Sequence, residues 1–335
     1  MKILRKLLFP FSLLYFAITS IRNFLYNTGI LTSQDYPKPI IVVGNLNTGG
    51  TGKSPMTMLL IASLSQRYTI SVLSRGYKRK TKGYIELQTS HSAAEVGDEP
   101  LQFKTNYPAV KVAVCADRRY GIAQLIDSTD LVLLDDAFQH RRVKGSYNIL
   151  LTSYGDLFAN DYILPVGNLR EARSGAKRAD CVVVTKCPMN LSSNEKNTIR
   201  RTLQKYHSGP IYFASIAYAD EIRSSENKEP ISYLKNKPFT LVTGIANPKP
   251  LLEHLDSLGL TYTHKAYPDH HPFSEKELEE LRSEERILTT EKDYMRLQGK
   301  LGSVALFYLP IKTVIQEEQE AFVSEVLQHV RAYES

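Results

Sequence analysis

The sequence predicts an α/β protein: a P-loop NTPase-type, mostly parallel sheet with helices on both faces, a smaller α/β domain after it, and a membrane-associated helix before it. Three observations carry this expectation. Short β-branched runs at 40–43, 68–74, 110–116, 130–134, 147–152 and 181–185 are separated by helical stretches, the alternation of a doubly wound sheet. The first run breaks into glycines and ends in Gly52-Lys53-Ser54. From about residue 217 the chain turns charged and proline-bearing before a second strand–helix alternation begins at 239. The expected boundaries are 1–30 for the interfacial helix, 31–216 for the nucleotide-binding domain, 217–238 for a linker or hairpin, and 239–335 for the smaller domain with its terminal helix.

The chain has 335 residues, and 42% apolar with 10% aromatic content is ample for a core. Cys115, Cys181 and Cys187 are scattered without metal-ligand spacing, which argues against a disulfide framework and fits a reducing compartment. A formal charge of +7 favours an anionic partner: nucleic acid, an anionic membrane or a phosphorylated substrate. Charge alone does not choose among them.

Residues 1–30 hold Lys2, Arg5, Lys6 and Arg22 and no acid. The uncharged run 7–21 is shorter than the roughly 20 residues of a spanning helix, and Pro10 interrupts it. A monotopic helix is therefore expected, with Phe11, Leu14, Tyr15, Ile18, Ile21 and Leu25 at helical spacing and each cation gaining about 1 kcal/mol near anionic lipid. Two other readings share the pattern. A cleaved signal peptide has the same basic start, although export would part a nucleotide site from its ATP; a helix packed on the protein's own core is the second.

In 39–55, PIIVVGNLNTGGTGKSP, the run Ile40 to Val43 is apolar at every position, as in a strand buried on both faces, and 56–67 has helical composition. Strand, glycine loop and helix make a phosphate site from Asn47, Thr48, Gly49, Gly50, Thr51, Gly52, Lys53 and Ser54. Backbone N–H groups turn onto phosphate oxygens, Lys53 reaches the β/γ-phosphates, and Ser54 ligates magnesium. In G-x-x-x-x-G-K-[ST] the first glycine falls on Asn47, a residue type that tolerates left-handed angles.

The strand at 68–74 ends in SRGYKRKTKGY, placing Arg75 and Tyr77 at the sheet edge; the lysines that follow equally suit a solvated loop. Asp98 and Glu99 beside Pro100 read, on their own chemistry, as a surface turn or helix start. The 110–116 strand runs into Asp117-Arg118-Arg119. The 130–134 strand ends in Asp135-Asp136, the acid that a magnesium-nucleotide site requires opposite the phosphate loop, and Asp136 is taken as the ligand. His140, Arg141 and Arg142 add donors close by. Between 147–152 and 181–185 lies the loop 165–171, PVGNLRE.

In the second unit, 239–248, 286–293 and 304–310 read as strands with loops at their ends, and 249–258, 274–285 and 315–333 as helices. The cluster Tyr267-Pro268-Asp269-His270-His271 fits a metal site, a proton-handling histidine or a polar loop.

In order along the chain, VGNLNTGGTGKSP, SRGYKRK, VGDEP, LLDDAFQHR, GNLRE, TGIANP, YPDHH and LTTEKD resemble the motifs of the tetraacyldisaccharide 4′-kinases, the lipid A pathway kinases of Gram-negative bacteria. That family also lacks the first loop glycine, and it reads Asp-Asp-Gly-Phe-Gln-His where this chain has Ala137. The resemblance implies transfer of the ATP γ-phosphate to the 4′-hydroxyl of an acylated glucosamine disaccharide 1-phosphate, giving lipid IVA, with Mg2+ as cofactor. It implies a monotopic protein on the cytoplasmic face of the inner membrane, working without nucleic acid or an obligate protein partner. Asp98 matches the family's catalytic aspartate, with His270 paired to it. Ser54, Asp136 and Glu171 are placed at the metal, and Arg75, Tyr77, Arg119 and Arg170 at the substrate.

A rival class remains at this stage. GGTGKS also resembles the partition-type switch ATPases that work on membrane or nucleic acid, although those carry a lysine where this chain has Thr48. No aromatic-and-basic nucleic-acid module accompanies the positive charge.

Overall fold

Helix α1 (Phe9–Asn27) opens with Pro10 in its first turn, where the missing N–H breaks no hydrogen bond. It belongs to a computed structural model that describes Arg5 and residues 7–333. Strand β1 (Ile40–Asn45), buried throughout, feeds the glycine loop and α2 (Lys53–Leu64). Then come β2 (Ile70–Ser74), β3 (Ile85–Glu86), α3 (Ala93–Val96), α4 (Asp98–Asn106), β4 (Lys111–Val114), α5 (Arg118–Leu125) and β5 (Leu131–Asp135). The chain continues through β6 (Tyr147–Ser153), β7 (Cys181–Thr185), α6 (Ser193–Leu203) and β8 (Ile211–Tyr218). The second unit holds β9 (Glu221–Arg223), β10 (Lys228–Pro230), β11 (Phe239–Thr243), α7 (Lys249–Ser257), β12 (Tyr262–Ala266), α8 (Glu275–Arg282), β13 (Arg286–Thr290), α9 (Glu291–Leu297) and β14 (Ala305–Leu309). Last are β15 (Ile311–Ile315) and α10 (Gln319–Arg331).

The large sheet has the order β15-β8-β7-β6-β1-β5-β2-β4-β3, parallel from β8 to β4 and antiparallel at both edges. The phosphate-loop strand β1 lies in the middle, with β5 on one side and β6 on the other. Buried parallel strands read as continuous apolar runs, so the sequence located them without alternation. The second sheet has the order β10-β9-β14-β13-β11-β12, with β14, β13, β11 and β12 parallel.

The domain boundaries need correction. Of the two alternatives for 217–238 the structure has the hairpin, β9 and β10 pairing antiparallel at the edge of the small sheet, but the boundary shifts because β8 runs to Tyr218 in the large one. The chain after β14 is not part of the small unit either. Pro310 has no N–H for a ladder and separates β14 in the small sheet from β15, which pairs antiparallel with β8 in the large one. Phe322, Val326 and Val330 of α10 then pack into the large core with α2. Run lengths shift as well. The 239–248 strand stops at Thr243, and the 286–293 strand stops at Thr290, whose hydroxyl caps α9 by accepting from the Asp293 N–H.

Helix α1 packs by its polar stripe. Ser12 and Thr19 are buried, the Ser12 hydroxyl donates to the Ile163 carbonyl at 3.2 Å, and the Tyr15 hydroxyl donates to the Arg170 carbonyl at 3.0 Å. Phe9, Phe11, Leu13, Leu14, Phe16, Ile18, Ile21 and Phe24 are exposed. The apolar stripe is thus not packed on the protein's own core. Tyr15 and Leu25, expected in that outward stripe, are half-buried. Among the described residues no helix is long and apolar enough to cross a membrane.

Candidate active site

The glycine loop takes its shape from backbone angles that side chains resist. Gly49 has φ +123° and Gly52 φ +82°, and Gly52 is the left-handed residue that starts α2. Asn47 is not among the positive-φ residues, so the expectation that it borrows asparagine's left-handed tolerance is corrected. It is 1% exposed and its Nδ2 donates to Asp161 at 2.9 Å. The Thr48 N–H bonds the Asn168 carbonyl at 2.7 Å, which stitches the loop to the PVGNLRE segment.

Lys53 and Ser54 enter the first turn of α2, where unpaired N–H groups and the helix dipole favour an anion. The Lys53 ammonium stands 3.7 Å from Asp136 Oδ1, and the Arg170 guanidinium reaches the same oxygen at 3.1 Å. Asp136 sits just past β5 with φ +49°, an angle aspartate tolerates. Asp135, the last residue of β5, is fully buried. One of its oxygens accepts from Ser74 at 3.1 Å and the other has no partner. Burial, with the Glu99 and Asp136 carboxylates, pushes its pKa up. Sequence reading passed over this acid in favour of its neighbour. Ala137 has no positive φ and is buried in an apolar cluster with Val42 and Leu134, so a side chain is at ease there.

Asp98 is the first residue of α4, and it draws three elements together. His270, in the loop after β12, meets it with Nδ1 at 2.9 Å from Oδ2, and Arg296 of α9 donates to the same oxygen from Nη2 at 2.5 Å. Asp293 holds Arg296 at 2.7 Å, and is itself held by the Gly244 N–H at 2.8 Å and the Thr290 hydroxyl at 2.7 Å. Burial works against ionisation of Asp98, but the His270 hydrogen bond and the Arg296 and Lys292 charges prevail and hold its pKa well below the ordinary value. Lys292 pairs with Glu99, and Gln102 donates to Glu291 at 2.6 Å, so α9 and α4 face each other through satisfied polar pairs. Arg296 and Lys292 were missed in the sequence; the signal was the EKDYMRL stretch, whose charges share one short helix.

The remaining residues divide. Tyr77 lies with its ring edge-on to His270, centroids 5.6 Å apart, and Arg170 joins Asp136. Arg75 is exposed just past β2. Arg119 is exposed and paired with Asp117 at 3.5 Å, while its neighbour Arg118 turns inward and donates to the Asp135 carbonyl at 3.4 Å. Glu171, expected at the metal, is fully buried. Its oxygens accept from Arg178 at 2.9 and 2.8 Å, Asn23 at 2.6 Å and Gln139 at 3.0 Å, which fills the acceptor sites of a carboxylate. Here it ties α1 to the site loops. His270 turns to Asp98 at 2.9 Å and His271 pairs with Glu277 at 2.9 Å, and among the described residues no three His, Cys, Asp or Glu side chains are grouped to hold a metal.

The family model described as tetraacyldisaccharide-1-P 4′-kinase matches residues 4–331. Curated tetraacyldisaccharide 4′-kinases of Flavobacterium psychrophilum and Flavobacterium johnsoniae are 46% and 47% identical, each over 99% of this chain and 98% of theirs. The crystal structure of LpxK from Aquifex aeolicus in complex with ATP superposes with a TM-score of 0.79 at 30% identity, covering 98% of this chain and 99% of that one. The switch-ATPase reading falls away, and the chain belongs to the tetraacyldisaccharide 4′-kinase family.

Proposed function

We propose that this protein transfers the γ-phosphate of ATP to the 4′-hydroxyl of tetraacyldisaccharide 1-phosphate, acting at a lipid surface. The observation that carries the reading is the convergence of a phosphate loop on β1 and the Asp98–His270 pair: α2, which begins at Lys53, packs against α4, which begins at Asp98. Phosphoryl transfer asks for charge neutralisation and an aligned hydroxyl more than for covalent chemistry. Lys53 and the N-terminus of α2 supply the first. The hydroxyl proton passes to the Asp98–His270 pair, whose Oδ2···Nδ1 hydrogen bond lets two weak groups act as one acceptor. Tyr77, Arg75 and Arg170 stand on the substrate side.

A magnesium ion fits the donor set, because Asp135 offers a buried carboxylate oxygen with no partner. Ser54, Asp135 and Asp136 would hold it. When bound it neutralises charge on the β- and γ-phosphates. The exposed apolar face of α1 supports a monotopic seat on the cytoplasmic face of the inner membrane, where the acyl chains of such a substrate reside. The test is turnover of ATP with purified disaccharide 1-phosphate in mixed micelles. Lys53→Ala and Asp136→Ala should each lower the rate by at least about a hundredfold with the fold retained. Activity within tenfold of wild type in either variant overturns the assignment of the loop.

A further inference from the structure

The chain that leaves β2 through Arg75 and Tyr77 goes on to Lys78, Lys80 and Lys82, which the chemistry described above does not use. Their loop is pinned. The Lys80 N–H bonds the Ala94 carbonyl at 2.8 Å, the Thr81 hydroxyl donates to the Glu95 carbonyl, and Arg79 folds back to donate to the Gly83 carbonyl. With Arg79 turned inward, Lys78, Lys80 and Lys82 stand exposed, and none of them has an ion pair among the described residues. Glu95, whose carbonyl Thr81 meets, turns its carboxylate to Ser92 at 2.7 Å instead. From the small unit comes Lys300, in the turn after α9, close enough to Lys80 that burial and that charge together lower its pKa. Four cations from two units thus gather without a paired acid, an arrangement that repels itself in water and is relieved by an anionic surface.

This rim borders the site. Tyr77, one residue before Lys78, is 60% exposed and sets its ring edge-on to His270, and the Lys78 ammonium stands 5.8 Å from the centre of the same ring. On the other flank lies α1, whose Tyr15 holds the Arg170 carbonyl while the Arg170 guanidinium reaches Asp136. A substrate whose acyl chains stay in a bilayer brings its hydroxyl to Asp98 only if the mouth of the cleft faces that bilayer. We propose that Lys78, Lys80 and Lys82, with Lys300, form a second membrane contact, which reads anionic lipid headgroups by charge while α1 supplies the apolar insertion. Cations gain from the negative potential of such a surface, and the gain fades within a Debye length. The rim therefore acts at the headgroup plane and needs no pocket. It orients the cleft mouth and selects anionic surfaces, a selectivity that an outward face of Phe, Leu and Ile does not possess.

Resting on the lipid-surface reading above, the rim is tested so that the two fail separately. The full chain is floated with vesicles of phosphatidylcholine alone and of phosphatidylcholine mixed with phosphatidylglycerol. The triple variant Lys78→Gln, Lys80→Gln, Lys82→Gln should bind the anionic vesicles about tenfold less at low salt and the neutral ones within about twofold of wild type. High salt should erase the difference between the two proteins, and the triple change to arginine should keep wild-type binding. Turnover on substrate in neutral micelles should be unchanged, since no residue of the site is touched. Equal binding of variant and wild type to anionic vesicles, or an equal loss on both vesicles, overturns the rim. So does a loss of turnover in neutral micelles as large as the loss on anionic vesicles, which would make the lysines substrate contacts. Wild-type protein that floats with neither vesicle overturns the membrane seat itself.

Discussion

Arg296 places Nη2 2.5 Å from Oδ2 of Asp98, a residue 198 positions earlier, and both side chains are nearly buried. The carboxyl is depressed in the fold, so its contribution to stability is complete above its ordinary pKa of ~3.9 and is lost as pH falls below that. Arg296→Gln raises this pKa by leaving Asp98 short of a partner. Thermal melts should show the variant destabilised by about 3 kcal/mol near neutrality, with the deficit shrinking as pH falls below ~3.9, where the variant's carboxyl takes up a proton while the wild-type one, still paired with Arg296, stays ionised. A deficit independent of pH would assign Arg296 a packing role alone.

His270 is brought to Asp98 from the opposite sheet, and if the pair shares one proton-accepting task their losses cannot add. Asp98→Ala and His270→Ala should each reduce kcat with modest change in KM, and the double variant should be little worse than the poorer single one. Fully additive losses would mean separate roles. A KM effect exceeding the kcat effect in His270→Ala would make that residue a substrate contact.

Glu171 distinguishes an anchor from a metal ligand. Glu171→Gln leaves Arg178 without its carboxylate, and should cost about 2–3 kcal/mol by denaturant melts while leaving the magnesium dependence of the rate unchanged. A raised magnesium requirement with an unchanged melt would return the residue to the metal.

The outward face of α1 allows membrane binding to be tested apart from folding, because Leu13, Leu14, Ile18 and Ile21 are each more than half exposed. Replacing all four by serine should abolish flotation with anionic vesicles and lower activity on micellar lipid, with the melting temperature moved by a few degrees at most. Vesicle binding equal to wild type would refute the lipid-facing role. Asn23→Ala is the converse probe: it cuts the hydrogen bond from α1 to Glu171, and should destabilise the site loop without weakening vesicle binding.

What the sequence determined by itself was local or periodic. Ile40 to Val43 announce a strand buried on both faces because every position is apolar; Gly49 and Gly52 announce the loop because few other residues hold those angles; and β5 announces itself by ending in acid. These signals need only neighbours in the chain. Tertiary structure alone decided what depends on distant partners. On its own chemistry Asp98 reads as a surface turn or helix start, and the buried charge it carries shows only when Arg296 and His270 arrive; Glu171, a ligand by family resemblance, has its oxygens filled by Arg178, Asn23 and Gln139; and the last strand leaves the small sheet because Pro310 ends one ladder and β8 offers another. The physical reason is common to all three: whether a charge is buried, paired or free to bind depends on which groups the fold places within hydrogen-bonding distance, and sequence separation carries no record of that.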